Sequence, residues 1–545
     1  MKTNLIFFTF LAAVIMVLNV QTSDSQVWVQ RYNGTADSTD YSNSITTDAS
    51  GNVYVTGASI TYGSAYYDMV TIKYGSDGNI QWLQKYNGPG DSTDSGNSIT
   101  VDGSGNVYVT GSSFGSGTKS DFITVKYNSS GVQQWAQRYD GPTNGTDNAY
   151  NLKVDASGNV YVTGSSDNGP AQNDYYTIKY NSSGVQQWAQ RYNGTGNSFD
   201  SPSSLAIDNS GNVYVAGYSS GVGTGYDYVT IKYNSAGTMQ WEQRYNGPGN
   251  STENVFSLKV DGSGNVYITG FSGGSGSGND FATIKYNSAG VQQWLQRYNG
   301  SANGYDIARS LVLDDSGNVY VSGFTTETST GEDYTTIKYN SAGQQQWLQT
   351  YNGPGNSDDE VYAMTLDGNG NIYITGSSTG SGSGSDFATI KYNASGTQIW
   401  AQRYNGPTGN TDEARSIAVD VSGFVYITGN SRSATGMDFA TIKYEQVMGI
   451  QNIGNELPEN FSLAQNFPNP FNPVTNIRFN VAKSGFVSIK VYDISGKEAA
   501  VLVNEELSAG VYNVDLNASM LSSGTYFYRM ETDNFIATKK MVLVK

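Results

Sequence analysis

The sequence predicts an all-β chain: an eight-bladed β-propeller of four-stranded blades with an N-terminal strand closing the last blade, followed by a small Ig-like β-sandwich. Three observations carry this. Gly51-Asn-Val-Tyr-Val-Thr-Gly57 recurs with small changes from Gly105, Gly158, Gly211, Gly264, Gly317, Gly370 and Gly423, with one offset of 54 residues and six of 53. All eight Trp residues occupy one place in that period, and Asp-x-x-x-x-Lys-Tyr also occurs eight times. Composition agrees, since 65 Gly, 41 Tyr and a hydrophobic fraction of 37% suit many thin, Tyr-lined sheets better than one large core.

Taken in order, the chain opens with Lys2 and an apolar run from Leu5 to Leu18 broken only by Thr9, the layout of a signal peptide over residues 1–25. That run is too short to span a bilayer, so the mature chain is expected to carry no transmembrane segment. The first full period holds four strand-like segments, Ser44 to Thr47, Asn52 to Thr56, Met69 to Tyr74 and Ile80 to Tyr86, each bounded by Gly, Asn, Asp or Ser. The phase is shifted: a Trp28 segment precedes this period, while the last third segment, Asp438 to Tyr444, has no Trp segment after it. Pairing Gln26 to Asn33 with Phe439 to Tyr444 closes the ring and leaves no blade with an open edge, whereas an open solenoid would leave the Trp28 strand unexplained. The propeller is thus read over 26–446, a linker over 447–456 and a last domain over 457–545. That domain shows alternating segments such as Val487 to Tyr492, separated by turn residues such as Asp493-Ile-Ser-Gly496.

Within a blade the turns from first to second strand (Asp48-Ala-Ser-Gly51) and from third to fourth (Gly75-Ser-Asp-Gly78) are tight, and the other two connections are long. All long loops therefore share one face, the expected recognition surface. The Asp that opens each Asp-x-Ser-Gly turn could suggest a calcium loop, but the loop is too short, and Asp with Gly is what a tight turn requires. A second ring of carboxylates, Asp68, Asp121, Asp174, Asp227, Asp280, Asp333, Asp386 and Asp438, begins the third strand on the long-loop side. These could bind cations or sugar hydroxyls, or could cap strands and bond neighbouring blades. Lys73 and its counterparts lie five residues after that Asp, an odd spacing that sends the two side chains to opposite faces. The Trp residues could stack on sugars, but a fixed place in every blade suits packing of sheet on sheet.

With no Cys and no His, the chain lacks disulfides, thiolate nucleophiles, Ser-His dyads and imidazole or thiolate metal sites. No cofactor is expected, a hard cation such as calcium being the one open option. A net charge of −17 argues against nucleic acid or an anionic membrane as partner.

The tail carries a resemblance. Leu463-Ala-Gln-Asn-Phe-Pro-Asn-Pro-Phe-Asn-Pro473, Val491-Tyr-Asp-Ile-Ser-Gly496, Ala509-Gly-Val-Tyr512, Ser523-Gly-Thr-Tyr526 and Lys539-Lys-Met-Val-Leu-Val-Lys545 together resemble the C-terminal sorting domain of type IX (Por) secretion cargo in Bacteroidetes and their relatives. The repeat resembles the bacterial β-propeller repeat family, commonly described as seven-bladed, from which the count of eight departs. The resemblance implies passage through the periplasm and outer membrane, the type IX machinery as partner, and a secreted or cell-surface product. It also places Gly524, Tyr526, Lys540 and Lys545 on the recognised surface or its support. Two function classes follow. The first is a monomeric, non-enzymatic binding or adhesion protein for an extracellular ligand, a glycan or a protein. The second is a carboxylate-dependent glycoside hydrolase, with a structural surface-layer role beside both. A catalytic pair needs an asymmetric site, and blades that repeat the same acidic residues without a singular insertion favour binding.

Overall fold

The computed structural model describes residues 26–63, 65–169, 172–445, 451–454, 458–518 and 521–545. The expected signal peptide lies outside them. Eight four-stranded antiparallel sheets follow one another along the chain. In the first, Asp40–Thr47, Val53–Ile60, Tyr67–Tyr74 and Ile80–Tyr86 pair in sequence order. Its first three strands reach further toward the long-loop side than apolar alternation suggests, because that end is built from buried polar residues such as Asp40 and Ser59. The first strand of every blade touches the first strands of both neighbours, including blade 1 with blade 8, so these eight strands ring the centre and the Trp strands lie outermost.

The ring closes as the phase of the repeat requires. Gln26–Tyr32 pairs antiparallel with Met437–Tyr444, with Trp28 opposite Lys443 and Tyr32 opposite Phe439. Blade 8 therefore takes its outer strand from the start of the chain, which hides the edge of Met437–Tyr444.

The core is divided into eight clusters, one at each junction between blades. Between blades 1 and 2, Tyr54 and Met69 pack on Ile99, Val107, Val109, Ile123 and Val125. Each junction is pinned by aromatic and cationic side chains together. Trp82 sits between Tyr54 and Tyr127 at 6.2 and 6.0 Å, and its Nε1 donates to the carbonyl of Ser129 at 3.2 Å. Lys73 donates to that same carbonyl at 3.5 Å and lies 5.3 Å over the Tyr54 ring, so it joins blade to blade. Gly131 allows the approach: its φ is 81°, and a Cβ there would meet Trp82 at 2.8 Å.

The tail is a separate pair of four-stranded antiparallel sheets around one core that includes Phe479, Ile489, Tyr512, Tyr528 and Met541. One sheet holds Gln451–Gly454, Ser462–Leu463, Val474–Val481 and Gly510–Asn517. The other holds Gly485–Tyr492, Glu498–Leu507, Gly524–Thr532 and Phe535–Leu543. Part of the span read as linker, Gln451–Gly454, thus belongs to the tail's sheet through pairing with Gly510–Asn517.

Candidate functional site

The Asp-x-Ser-Gly turns are saturated from within. Asp48 accepts the backbone N–H groups of Ser50 and Asn52 at 2.9 and 3.0 Å, the Asn52 amide at 2.7 Å and the Tyr54 hydroxyl at 2.8 Å. Burial pushes this carboxyl up, but those donors outweigh it and hold it below its ordinary value. All eight carboxylates that begin the third strands, from Asp68 to Asp438, are buried. Six carry an arginine from the outer strand of their own blade: Asp121 with Arg138 at 2.6 Å, Asp227 with Arg244 at 2.9 Å, Asp280 with Arg297 at 2.7 Å, Asp386 with Arg403 at 2.8 Å, Asp438 with Arg31 at 2.7 Å, and Asp174 with Arg191. Asp68 instead accepts from Thr61 at 2.6 Å and Asp333 from Thr330 at 2.7 Å. Only where blade 2 meets blade 3, among the described residues, do further carboxylates gather, with Asp140 and Asp147 close to Asp121.

A third acidic ring, which carries no motif and was not singled out from the sequence, starts the inner strands: Asp40, Asp94, Asp147, Asp200, Glu253, Asp306, Asp359 and Asp412 are fully buried. Asp40 accepts the N–H of Gly34 at 2.6 Å, and the other aspartates do the same six residues back. Burial pushes Asp306 up to about 6 and Glu253 up to about 7. The seven aspartates tie the long loops to the inner strands.

The asymmetric part of the molecule lies in the centre. Every inner strand carries a β-bulge at one place, so one residue per blade has no partner on the second strand and is turned out of the ladder. In chain order these residues are Asn43, Asn97, Tyr150, Ser203, Phe256, Arg309, Tyr362 and Arg415. The scaffold around them repeats and they do not. In blades 1, 2 and 4 the bulged side chain grips the next blade: Asn43 donates to the carbonyl of Gly96 at 2.9 Å, Asn97 to that of Ala149 at 2.9 Å, and Ser203 to that of Val255.

From blade 5 to blade 8 the bulged residues alternate ring and guanidinium. Arg309 lies 4.6 Å over Phe256 and 6.0 Å over Tyr362, with Phe324 at 5.6 Å, and Arg415 lies 4.7 Å over the other side of the ladder at Tyr362. Arg415 is paired with Glu413. Among the described residues no carboxylate lies within ion-pair distance of Arg309, and its Nε is closed to solvent without a hydrogen-bond partner. Burial lowers its pKa, with Glu360 acting against that. These four side chains, with Tyr41, Asn43 and Asn430, line a cavity of about 530 Å³ in the long-loop half of the channel. At its rim Glu332 is pushed up to about 7, by burial first and by Glu360 and Asp358 next. Deeper, on the inner strands of blades 3 and 5, Lys153 and Lys259 are exposed. Crowding by the surrounding channel wall, which displaces bulk water, and repulsion from Lys259 bring Lys153 down to about 8.

In the tail, Gly524 opens a strand, and Tyr526 is buried and donates to the carbonyl of Ser522 at 2.9 Å. The Lys540 carbonyl accepts from Gln465 at 2.8 Å, and the Lys545 N–H donates to Ser523 at 3.0 Å.

The family described as Beta-propeller repeat matches residues 27–61, 81–117, 187–223, 346–382 and 399–434, and the family described as Secretion system C-terminal sorting domain matches residues 465–545. The chain carries β-propeller repeats and a C-terminal type IX sorting domain. No curated protein matches this propeller protein. Among solved structures it is similar to a eukaryotic initiation factor, at 9% identity over 86% of this chain and 90% of that one with a TM-score of 0.36. It is also similar to the β-propeller domain of the trilobed protease from Pyrococcus furiosus, at 8% identity over 64% of this chain and 92% of that one with a TM-score of 0.38. The sorting domain marks the propeller protein for export by type IX secretion to the cell surface or extracellular space, and implies interaction with that machinery. Among the described residues no helix is long and apolar enough to cross a membrane.

Proposed function

We propose that this is an extracellular binding or adhesion protein that takes a ligand at the long-loop mouth of its central channel. One observation carries the reading: the residue at the bulge differs from blade to blade, and four consecutive ones build a ring-and-guanidinium ladder inside a cavity. A repeated scaffold that gathers varied side chains in a concave, polar-and-aromatic site is the arrangement of a recognition surface. No cofactor enters this reading, and calcium at Asp121, Asp140 and Asp147 would appear as calcium-dependent binding. The test is a glycan and matrix-polymer binding screen on the exported protein, with and without calcium, followed by hydrogen exchange on the complex. Protection at the inner strands and long loops is expected. Protection confined to the tight-turn face would overturn the reading.

The second reading, a carboxylate-dependent glycosidase, draws on Glu332, a carboxyl held near pH 7 beside Glu360. It requires hydrolysis of a bound glycan that Glu332→Gln abolishes while binding persists.

A further inference from the structure

We infer that Arg309 is an anion receptor and that the ligand is a glycan bearing a sugar carboxylate. The inference rests on the channel-mouth reading and specifies its chemistry. Arginines elsewhere in this propeller show what the fold does with a guanidinium it needs neutral: six are paired with the aspartates of the third strands, and Arg415 is paired with Glu413. Arg309 is treated differently. It is held flat by Phe256, Phe324 and Tyr362, which desolvate it and fix its plane, yet it receives no carboxylate and its Nε is left unpartnered out of solvent. A buried donor left unmade carries a cost that a ligand acceptor relieves, and a planar guanidinium presents a fork suited to a carboxylate.

The surroundings narrow the class. Phe256 and Tyr362 line the same cavity and set apolar ring surface beside the guanidinium, a pairing suited to the C–H groups of a pyranose next to its carboxylate, and a cavity of about 530 Å³ admits a few sugar units. Glu332, Glu360 and Asp358 crowd the rim, on a protein of net charge −17. That field opposes a dense polyanion and admits an isolated acid on a mostly neutral chain. The sparse uronate of an acidic polysaccharide meets both conditions.

The test is calorimetric titration of the full exported chain with an aldotriouronate, a neutral xylobiose bearing a single glucuronate, with xylotriose as its neutral match, and with a tripeptide whose C-terminus supplies the same carboxylate without a pyranose. The aldotriouronate should bind at least ten-fold more tightly than xylotriose. Arg309→Gln should lose at least ten-fold of that affinity with an unchanged thermal transition, and Arg309→Lys should fall between. Arg191→Gln, which removes a scaffold pair, serves as the control and should leave the affinity unchanged. Equal binding of acid and neutral sugars, binding indifferent to Arg309, a preference for the tripeptide, or no binding of the aldotriouronate would each overturn the inference. A glycan bound at the long-loop face independently of Arg309 would leave the channel-mouth reading standing and remove only this one.

Discussion

Thr350 stands where the outer strands of six other blades carry the arginine that neutralises a buried aspartate, and its own blade's Asp333 has no cation in contact. Burial raises the Asp333 carboxyl, so its ionised form disfavours the folded state at neutral pH. Thr350→Arg supplies the missing partner in a geometry the same fold already uses between Arg297 and Asp280 at 2.7 Å. The substitution should stabilise the protein by about 1 kcal/mol at pH 7. The sign of the pH dependence follows from linkage: a group whose folded pKa is raised binds more protons when folded, so it lowers stability as pH rises past its unfolded value. The gain should therefore be full near pH 7 and vanish at pH values below that of a free aspartate. Thermal denaturation at pH 7 and pH 3 measures both, and a gain that persists at pH 3 would mean that the arginine acts through packing alone.

At the level of elements, the closing strand was legible because two independent repeats fell out of phase by one segment. Trp28 and Asp438 could not otherwise belong to complete blades. The strand's grip is specific: Trp28 packs against Tyr74 at 6.0 Å and Tyr426 at 6.2 Å, joining blades 8 and 1, while Arg31 reaches Asp438 and the Tyr404 hydroxyl at 3.1 Å. Deleting Gln26 to Asn33 strips these contacts and exposes the edge of Met437–Tyr444. The melting temperature should fall by about 5 °C or more, or the protein should aggregate. An unchanged transition would show that the ring does not depend on its closure. The candidate site was far less legible. Motif reading weights what recurs, and the bulged residues do not recur, so it finds Asp68 and its counterparts and misses Arg309 and Arg415. The bulge itself leaves no sequence signature, because an extra residue on a polar inner strand looks like ordinary alternation. Aligning the eight periods and asking where charge and aromatic character vary together would have found Phe256, Arg309, Tyr362 and Arg415.

At the level of the whole molecule, two folds with separate cores carry two tasks. Residues 457–545 hold eight acidic and eight basic side chains, so the net charge of −17 belongs to the part that precedes them. The tail's core closes on itself through residues such as Phe479, Tyr512 and Tyr528, with its own sheets and its own tethers: the Tyr528 hydroxyl accepts the N–H of Asn466 at 2.8 Å and donates to the carbonyl of Ala464 at 2.7 Å. These bonds fasten the Pro-rich segment, whose restricted φ values suit an extended lead into the first long strand, onto the sandwich. An address that folds without its cargo should direct any cargo. In a host with type IX secretion, an unrelated periplasmic reporter fused ahead of residues 450–545 should reach the medium or the cell surface, while the native protein cut after Tyr444 should stay in the periplasm. Lys540 and Lys545 are exposed on the last strand and its end, so neutral substitutions there should reduce export of the reporter without lowering its melting temperature. Tyr526 is buried and bonded to Ser522, so Tyr526→Ala should reduce export by unfolding the tail. Secretion of the truncated propeller would show that the address lies elsewhere in the chain.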